Sequence, residues 1–146
     1  MPTRTAHTAW TGTLQEGSGQ VELVSSQLAT FDVSFPARSA EEANGVTSPE
    51  ELIAAAHSAC FAMQLSGNIA RGGGTPVALD VRADVSLGPD PAGGFHLTGI
   101  TLTVRGEVRD LDEAGFQEAA ERARAGCPVS KALAGVEITV DAALQG

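Results

Sequence analysis

The stretch from Ser48 to Gly72, SPEELIAAAHSACFAMQLSGNIARG, limits what this chain can fold into. Ser48 is placed to cap a helix, Pro49 suits the first helical position, and Glu51 three residues past the cap completes an S-x-x-E capping box. From Leu52 to Leu65 only His57, Ser58 and Gln64 are clearly polar. A helix apolar around its whole circumference belongs inside a core or a bilayer. The run falls short of the roughly 20 residues that a crossing needs, so a bilayer is disfavoured. The expectation is a long central helix buried on nearly all sides. Its small residues, Ala54, Ala55, Ala56, Ala59 and Ala62, let a sheet or a second copy of the helix approach closely.

Cys60 lies in the middle of this helix. A free cysteine often behaves as a small buried hydrophobe, and on the helix alone that reading stands. The chain's other cysteine, Cys127, sits in RARAGCPVSKALAG, where Gly126 can stop one helix and Pro128 can open the next. A thiol at such a junction feels the positive end of a helix dipole, which favours the thiolate. Two cysteines are enough for one reversible disulfide. They can equally be catalytic, metal-bound or simply buried, because a reducing compartment disfavours a structural staple.

The 146 residues allow one domain with a real core, and residues 1–146 are taken as one. The first residues, MPTRTAHTAW, lack the apolar segment of a secretory signal, so a cytoplasmic protein is expected. Acidic residues outnumber basic ones 18 to 9, for a net charge of −9. Nucleic acid is therefore an unfavourable partner, since neutralising phosphates needs clustered Lys and Arg. The acidic excess is explained by solubility alone.

Residues 6–14, 20–25 and 29–35 are short, β-branched or aromatic, and separated by turns, as in an antiparallel meander. Residues 36–47 have no periodicity and read as a loop, which carries Arg38. After the long helix, RGGGTP breaks the chain. Val77–Leu87 and Ile100–Val108 then alternate apolar with polar residues, as in a hairpin with one buried face. Asp110 to Glu113 offers a second capping box for a helix to about Ala125, a short helix follows Cys127, and Val136–Leu144 closes the chain as a strand. The fold class is α+β, in the order βββ-α-ββ-α-α-β.

These stretches resemble the OsmC family of thiol peroxidases, which is related to the organic hydroperoxide resistance proteins. The resemblance is carried by His7 to Gly12 around Trp10, by SPEELIAAAHSACFAMQLS, by ADVSL and by AGCPVSKAL, in order along almost the whole chain. His57, three residues before Cys60, is more like the OsmC branch. The resemblance implies an intertwined homodimer with active sites at the subunit interface. It implies a peroxidatic Cys60 and a resolving Cys127, assisted by Arg38 and Glu50. It also implies an organic hydroperoxide as substrate and an external dithiol or lipoyl-type reductant, with no cofactor and no metal.

Chemistry sets the demands on such a site. Only a thiolate attacks a peroxide oxygen, and apolar surroundings raise a thiol's pKa, so a buried Cys60 needs help from a cation such as Arg38. A thiol of pKa about 8.5 is roughly 3% ionised at neutral pH, so full ionisation gains only about 2 kcal/mol. Alignment of the O–O bond and stabilisation of the departing alkoxide must supply more. Glu50 raises a question of reach, since ten helical residues put it about 15 Å along the axis from Cys60. A broken helix, a Glu50 that only complements the dipole, or a Glu50 donated by the other subunit each answers it, and the last is favoured. A zinc site of Cys60, Cys127 and His57 lacks an evident fourth ligand. His57 is expected as a core or interface histidine, Phe61 and Met63 as packing, and Lys131 as a solvated side chain. The alternative function is a non-catalytic small-ligand-binding or stress protein that keeps the fold. A cysteine hydrolase with His57 as base is weaker still.

Overall fold

A computed structural model of the chain describes residues 1–145. In chain order its elements are β1 (His7–Thr11), β2 (Ser18–Glu22), β3 (Thr30–Val33), α1 (Phe35–Ser39), α2 (Pro49–Arg71), β4 (Thr75–Pro89), β5 (Phe95–Arg109), α3 (Glu113–Gly126), α4 (Pro128–Ala132) and β6 (Ile138–Leu144). The α+β order expected from the sequence is present with one addition, the short helix α1. The backbone clusters into two compact units, Met1–Leu52 and the residues from Ile53 onward. Among the described residues no helix is long and apolar enough to cross a membrane.

In the first unit β1, β2 and β3 form an antiparallel meander, with Trp10 opposite Gly19 and Val21 opposite Phe31. The third strand stops at Val33 because Ser34 takes a different role. Its Oγ accepts the Ala37 N–H at 3.2 Å, and Pro36 stands in the first turn, so Phe35–Ser39 coils into α1. Residues 36–39 are thus helical rather than loop, and Arg38 rides on that helix.

Ser48 caps α2 as expected, its Oγ accepting the Glu51 N–H at 3.1 Å. The reciprocal half of the capping box is replaced: the Glu51 carboxylate accepts instead from the hydroxyl of neighbouring Thr47. At the far end the Gly74 N–H returns to the Ile69 carbonyl at 3.0 Å. Gly73 makes that closure possible in the left-handed region, at φ +92°.

In the second unit α2 lays one stripe on the core. His57, Phe61, Leu65 and Ile69, spaced four apart, are all fully buried. Phe61, Leu65 and Ile69 pack with Ile100, Leu102 and Val104 of β5 and with Phe116, Ala119, Ala120 and Ala123 of α3. The opposite stripe is open: Ala55, Ala59 and Met63 are exposed, Met63 by 75%. A covering layer on one side reaches only one face of a cylinder, so burial on nearly all sides does not hold within one chain, and Met63 is not packed in it.

The hairpin β4–β5 alternates as expected, with Leu79, Val81, Ala83 and Val85 turned toward the core and Asp80, Arg82 and Asp84 outward. The strand β6 adds to β5 in parallel, Ile100 opposite Ile138, after a crossover through α3 and α4. At Gly106 a Cβ would lie 2.8 Å from the Phe116 ring, so only glycine lets that ring rest on the strand backbone. The cap of α3 differs from expectation. Asp112 Oδ1 accepts the Gly115 N–H at 2.8 Å, while Asp110 is a left-handed turn residue at φ +60°. Because the helix begins two residues later than an Asp110 cap requires, Glu113 is free to accept the Leu144 N–H of β6 at 3.1 Å.

Candidate active site

Two elements of the second unit bring the cysteines together. Cys60 is three residues past buried His57 on α2, partly exposed beside the core stripe. Cys127 closes α3, its N–H returning to the Ala123 carbonyl at 2.9 Å, and opens α4, its carbonyl accepting the Lys131 N–H at 3.0 Å. That double duty follows from Gly126 and Pro128, which stop one helix and start the next. It leaves Cys127 fully buried. Across 67 residues of sequence the two Sγ atoms stand 2.9 Å apart, both as free thiols. A bond between them needs a closure of only about 1 Å.

The pair divides its charge unevenly. Burial holds the Cys60 thiol above the usual thiol range, Cys127 adds to that rise, and the Val129 N–H opposes it. At Cys127 burial also pushes upward, but hydrogen bonds from Cys60, from the N–H and hydroxyl of Ser130 and from the Val129 N–H outweigh it, and its pKa is lowered. Two thiolates cannot stand side by side at this distance, so the pair holds at least one proton, and Cys127 is the sulfur that gives its proton up more readily.

The first unit contains the other two expected site residues, and it joins them to each other. Arg38 grips the Glu50 carboxylate as a fork, Nε to Oε1 at 3.0 Å and Nη2 to Oε2 at 2.8 Å. Glu50 is only 7% exposed, and the hydrogen bonds to it raise the guanidinium's pKa further. Beside Arg38 lies a hollow of about 370 Å³. Trp10, Leu14, Val21, Val33, Phe35 and Leu52 supply much of its apolar wall, with Arg38 as its charged group. The long helix is unbroken from Pro49 to Arg71, which removes a broken helix as the answer to the position of Glu50.

His57 is buried as expected, but it is not fully satisfied. Its Nε2 lies 2.7 Å from Ser130 Oγ, and its Nδ1 is buried with no hydrogen-bond partner among the described residues. Burial lowers the pKa of the ring, which is therefore neutral. Ser130 was not singled out by the sequence reading. The available signal was its position three residues after a cysteine at a helix start, where a hydroxyl can turn back to the sulfur. Lys131 is exposed. Among the described residues no group of three or more His, Cys, Asp or Glu is placed to hold a metal ion.

A family model described as OsmC-like protein matches residues 42–141, a span that includes Glu50, Cys60 and Cys127. The chain belongs to the OsmC-like family. This OsmC-like protein is 42% identical over 132 residues to the peroxiredoxin OsmC of Escherichia coli (strain K12), covering 90% of each chain. It is 34% identical over 132 residues to the organic hydroperoxide resistance protein OhrA of Bacillus subtilis (strain 168), covering 87% of this chain and 90% of the other. Among solved structures it is similar to the organic hydroperoxide resistance protein OhrB of Bacillus subtilis, at 30% identity and a TM-score of 0.70, over 97% of this chain and 98% of that one. The α+β architecture of this OsmC-like protein is thus that of its solved relatives.

Proposed function

We propose that this OsmC-like protein is a cysteine-based peroxidase that reduces organic hydroperoxides to alcohols in defence against oxidative and osmotic stress. The observation that carries the reading is the 2.9 Å approach of two lone sulfurs from distant parts of the sequence. Cys60 passes its proton to the neighbouring Cys127 and attacks the outer oxygen of ROOH as the thiolate, the O–O electron pair leaves on the alkoxide, and a proton from water gives ROH and a Cys60 sulfenic acid. The Cys127 thiol then displaces that hydroxyl, which departs as water and leaves a Cys60–Cys127 disulfide. An external dithiol, of lipoyl or similar type, restores both thiols and is itself oxidised to a disulfide, so the cycle uses no bound cofactor.

Arg38 and Glu50 are assigned to the same reaction. A permanently charged guanidinium held by a buried carboxylate is suited to meet a departing alkoxide. The apolar hollow beside it is suited to the organic group of a hydroperoxide. The protein is assigned a homodimer, which would cover the exposed apolar stripe Ala55, Ala59 and Met63. Residues 1–146 are taken as one working domain, and two free thiols suit the cytoplasm.

Steady-state assays with a dithiol reductant test the substrate class. Cumene hydroperoxide is expected to be turned over at least about tenfold more efficiently than hydrogen peroxide, because burying an aromatic group contributes a few kcal/mol of binding. Equal or faster turnover of hydrogen peroxide removes the organic-hydroperoxide assignment. No turnover of either favours a non-catalytic ligand-binding protein on the same fold.

A further inference from the structure

We propose that His57 and Ser130 form a hydrogen-bonded relay that makes Cys127 the departing sulfur when the disulfide is reduced, so that the external dithiol attacks Cys60. The proposal rests on the reading above only in taking the Cys60–Cys127 disulfide as an intermediate.

Ser130 is 4% exposed, and its Oγ has two neighbours to serve, His57 Nε2 at 2.7 Å and the Cys127 sulfur. The neutral His57 ring carries one N–H. An orphaned N–H in a core is costlier and rarer than an orphaned lone pair, and Nδ1 has no partner among the described residues. The proton therefore belongs on Nε2, which donates to Ser130 Oγ. The serine hydrogen is then free to point at Cys127 Sγ, and a hydroxyl that accepts one hydrogen bond is a stronger donor of the next. His57 acts only through Ser130, as a positioning residue, whereas Ser130 touches the reacting sulfur.

In thiol–disulfide exchange the thiolate attacks an accessible sulfur, and the sulfur better stabilised as a thiolate leaves faster. Both criteria choose the same direction here, since Cys60 is partly exposed and Cys127 is fully buried beside the Ser130 hydroxyl. The incoming thiolate bonds to Cys60 Sγ, and the S–S electron pair passes to Cys127 Sγ, which departs as a thiolate. The reductant's second thiol gives up its proton, attacks the reductant's first sulfur and expels Cys60, closing the reductant's own disulfide. Cys60 takes the proton that the reductant's second thiol gave up, and Cys127 keeps the electron pair as the thiolate.

The full-length protein is oxidised with diamide, so the test does not depend on peroxide turnover. The disulfide is opened with 2-mercaptoethanol, quenched with N-ethylmaleimide and mapped by peptide mass spectrometry. The expected result is mercaptoethanol on Cys60 and maleimide on Cys127, in a ratio of at least about ten to one. Ser130→Ala is expected to slow opening and to shift the equilibrium with dithiothreitol toward the disulfide by about tenfold, the weight of one hydrogen bond to a charged group. His57→Gln, which keeps an N–H donor, should stay near the parent, and His57→Leu should follow Ser130→Ala. If Ser130→Ala fails to fold, the two His57 variants decide. Mercaptoethanol on Cys127, or opening rates and equilibria within about twofold of the parent in both Ser130→Ala and His57→Leu, overturns the relay. If cumene hydroperoxide fails to oxidise the pair while the diamide-made disulfide opens as described, the peroxidase reading fails and the relay stands.

Discussion

Cys127→Ser is expected to consume about one equivalent of cumene hydroperoxide and then stall. Cys60 remains and can still take the first oxygen, but no second sulfur stands at bonding distance to displace it. Steady-state activity with a dithiol should fall by at least about 100-fold, and excess peroxide should carry Cys60 on to the sulfinic acid. Cys60→Ser should lose even the first equivalent, because a serine hydroxyl is a far weaker nucleophile than a cysteine sulfur. Rapid-mixing measurements of peroxide loss, with intact mass of the product, separate the two variants. A Cys127→Ser protein that turns over like the parent would show that the close approach of the sulfurs has no part in the cycle.

The second large effect is expected at Arg38. Arg38→Ala removes both arms of the fork and leaves the Glu50 carboxylate, 7% exposed, without its partner. A stability loss of about 1–3 kcal/mol follows from an unsatisfied buried acceptor, discounted because the arginine side chain is itself 35% exposed. Activity should fall further than stability explains, by about 100- to 1,000-fold, if the guanidinium stabilises the departing alkoxide. Arg38→Lys should rescue little of it, since a single ammonium cannot reproduce the two-armed grip. Mixed dimers locate the pair's target. An Arg38→Ala/Glu50→Gln double variant mixed with Cys60→Ser should regain activity if each pair serves the partner subunit's cysteine, the favoured arrangement. Mixtures no more active than their parents assign the pair to the cysteine of its own chain.

What could be read in the residues divides along physical lines. The hairpin was legible because Leu79, Val81, Ala83 and Val85 alternate without interruption, and alternation is the direct imprint of a half-buried strand. The start of the long helix was legible because Ser48 and Pro49 are local signals. The helix α1 was not, since five residues are too few to show a period, and its signs were only Ser34 as cap and Pro36 in the first turn. The α3 cap was misplaced because Asp110-Leu111-Asp112-Glu113 holds two competent caps, and which one is used depends on the left-handed turn at Asp110. The apolar circumference of α2 was read correctly as composition, but composition does not say what covers each stripe. Least legible was the contact between His57 and Ser130, which are 73 residues apart. Single polar pairs leave no periodic trace. Cys60, Cys127, Arg38 and Glu50 were named through resemblance to a family, and the structure supplies the two separate pairings among them.

Counting free thiols after one equivalent of cumene hydroperoxide tests the central claim most directly. Loss of both thiols, with a Cys60–Cys127 crosslink recovered on peptide mapping and reversed by a dithiol, is the expected result. Two thiols that persist while the peroxide remains unconsumed would contradict it.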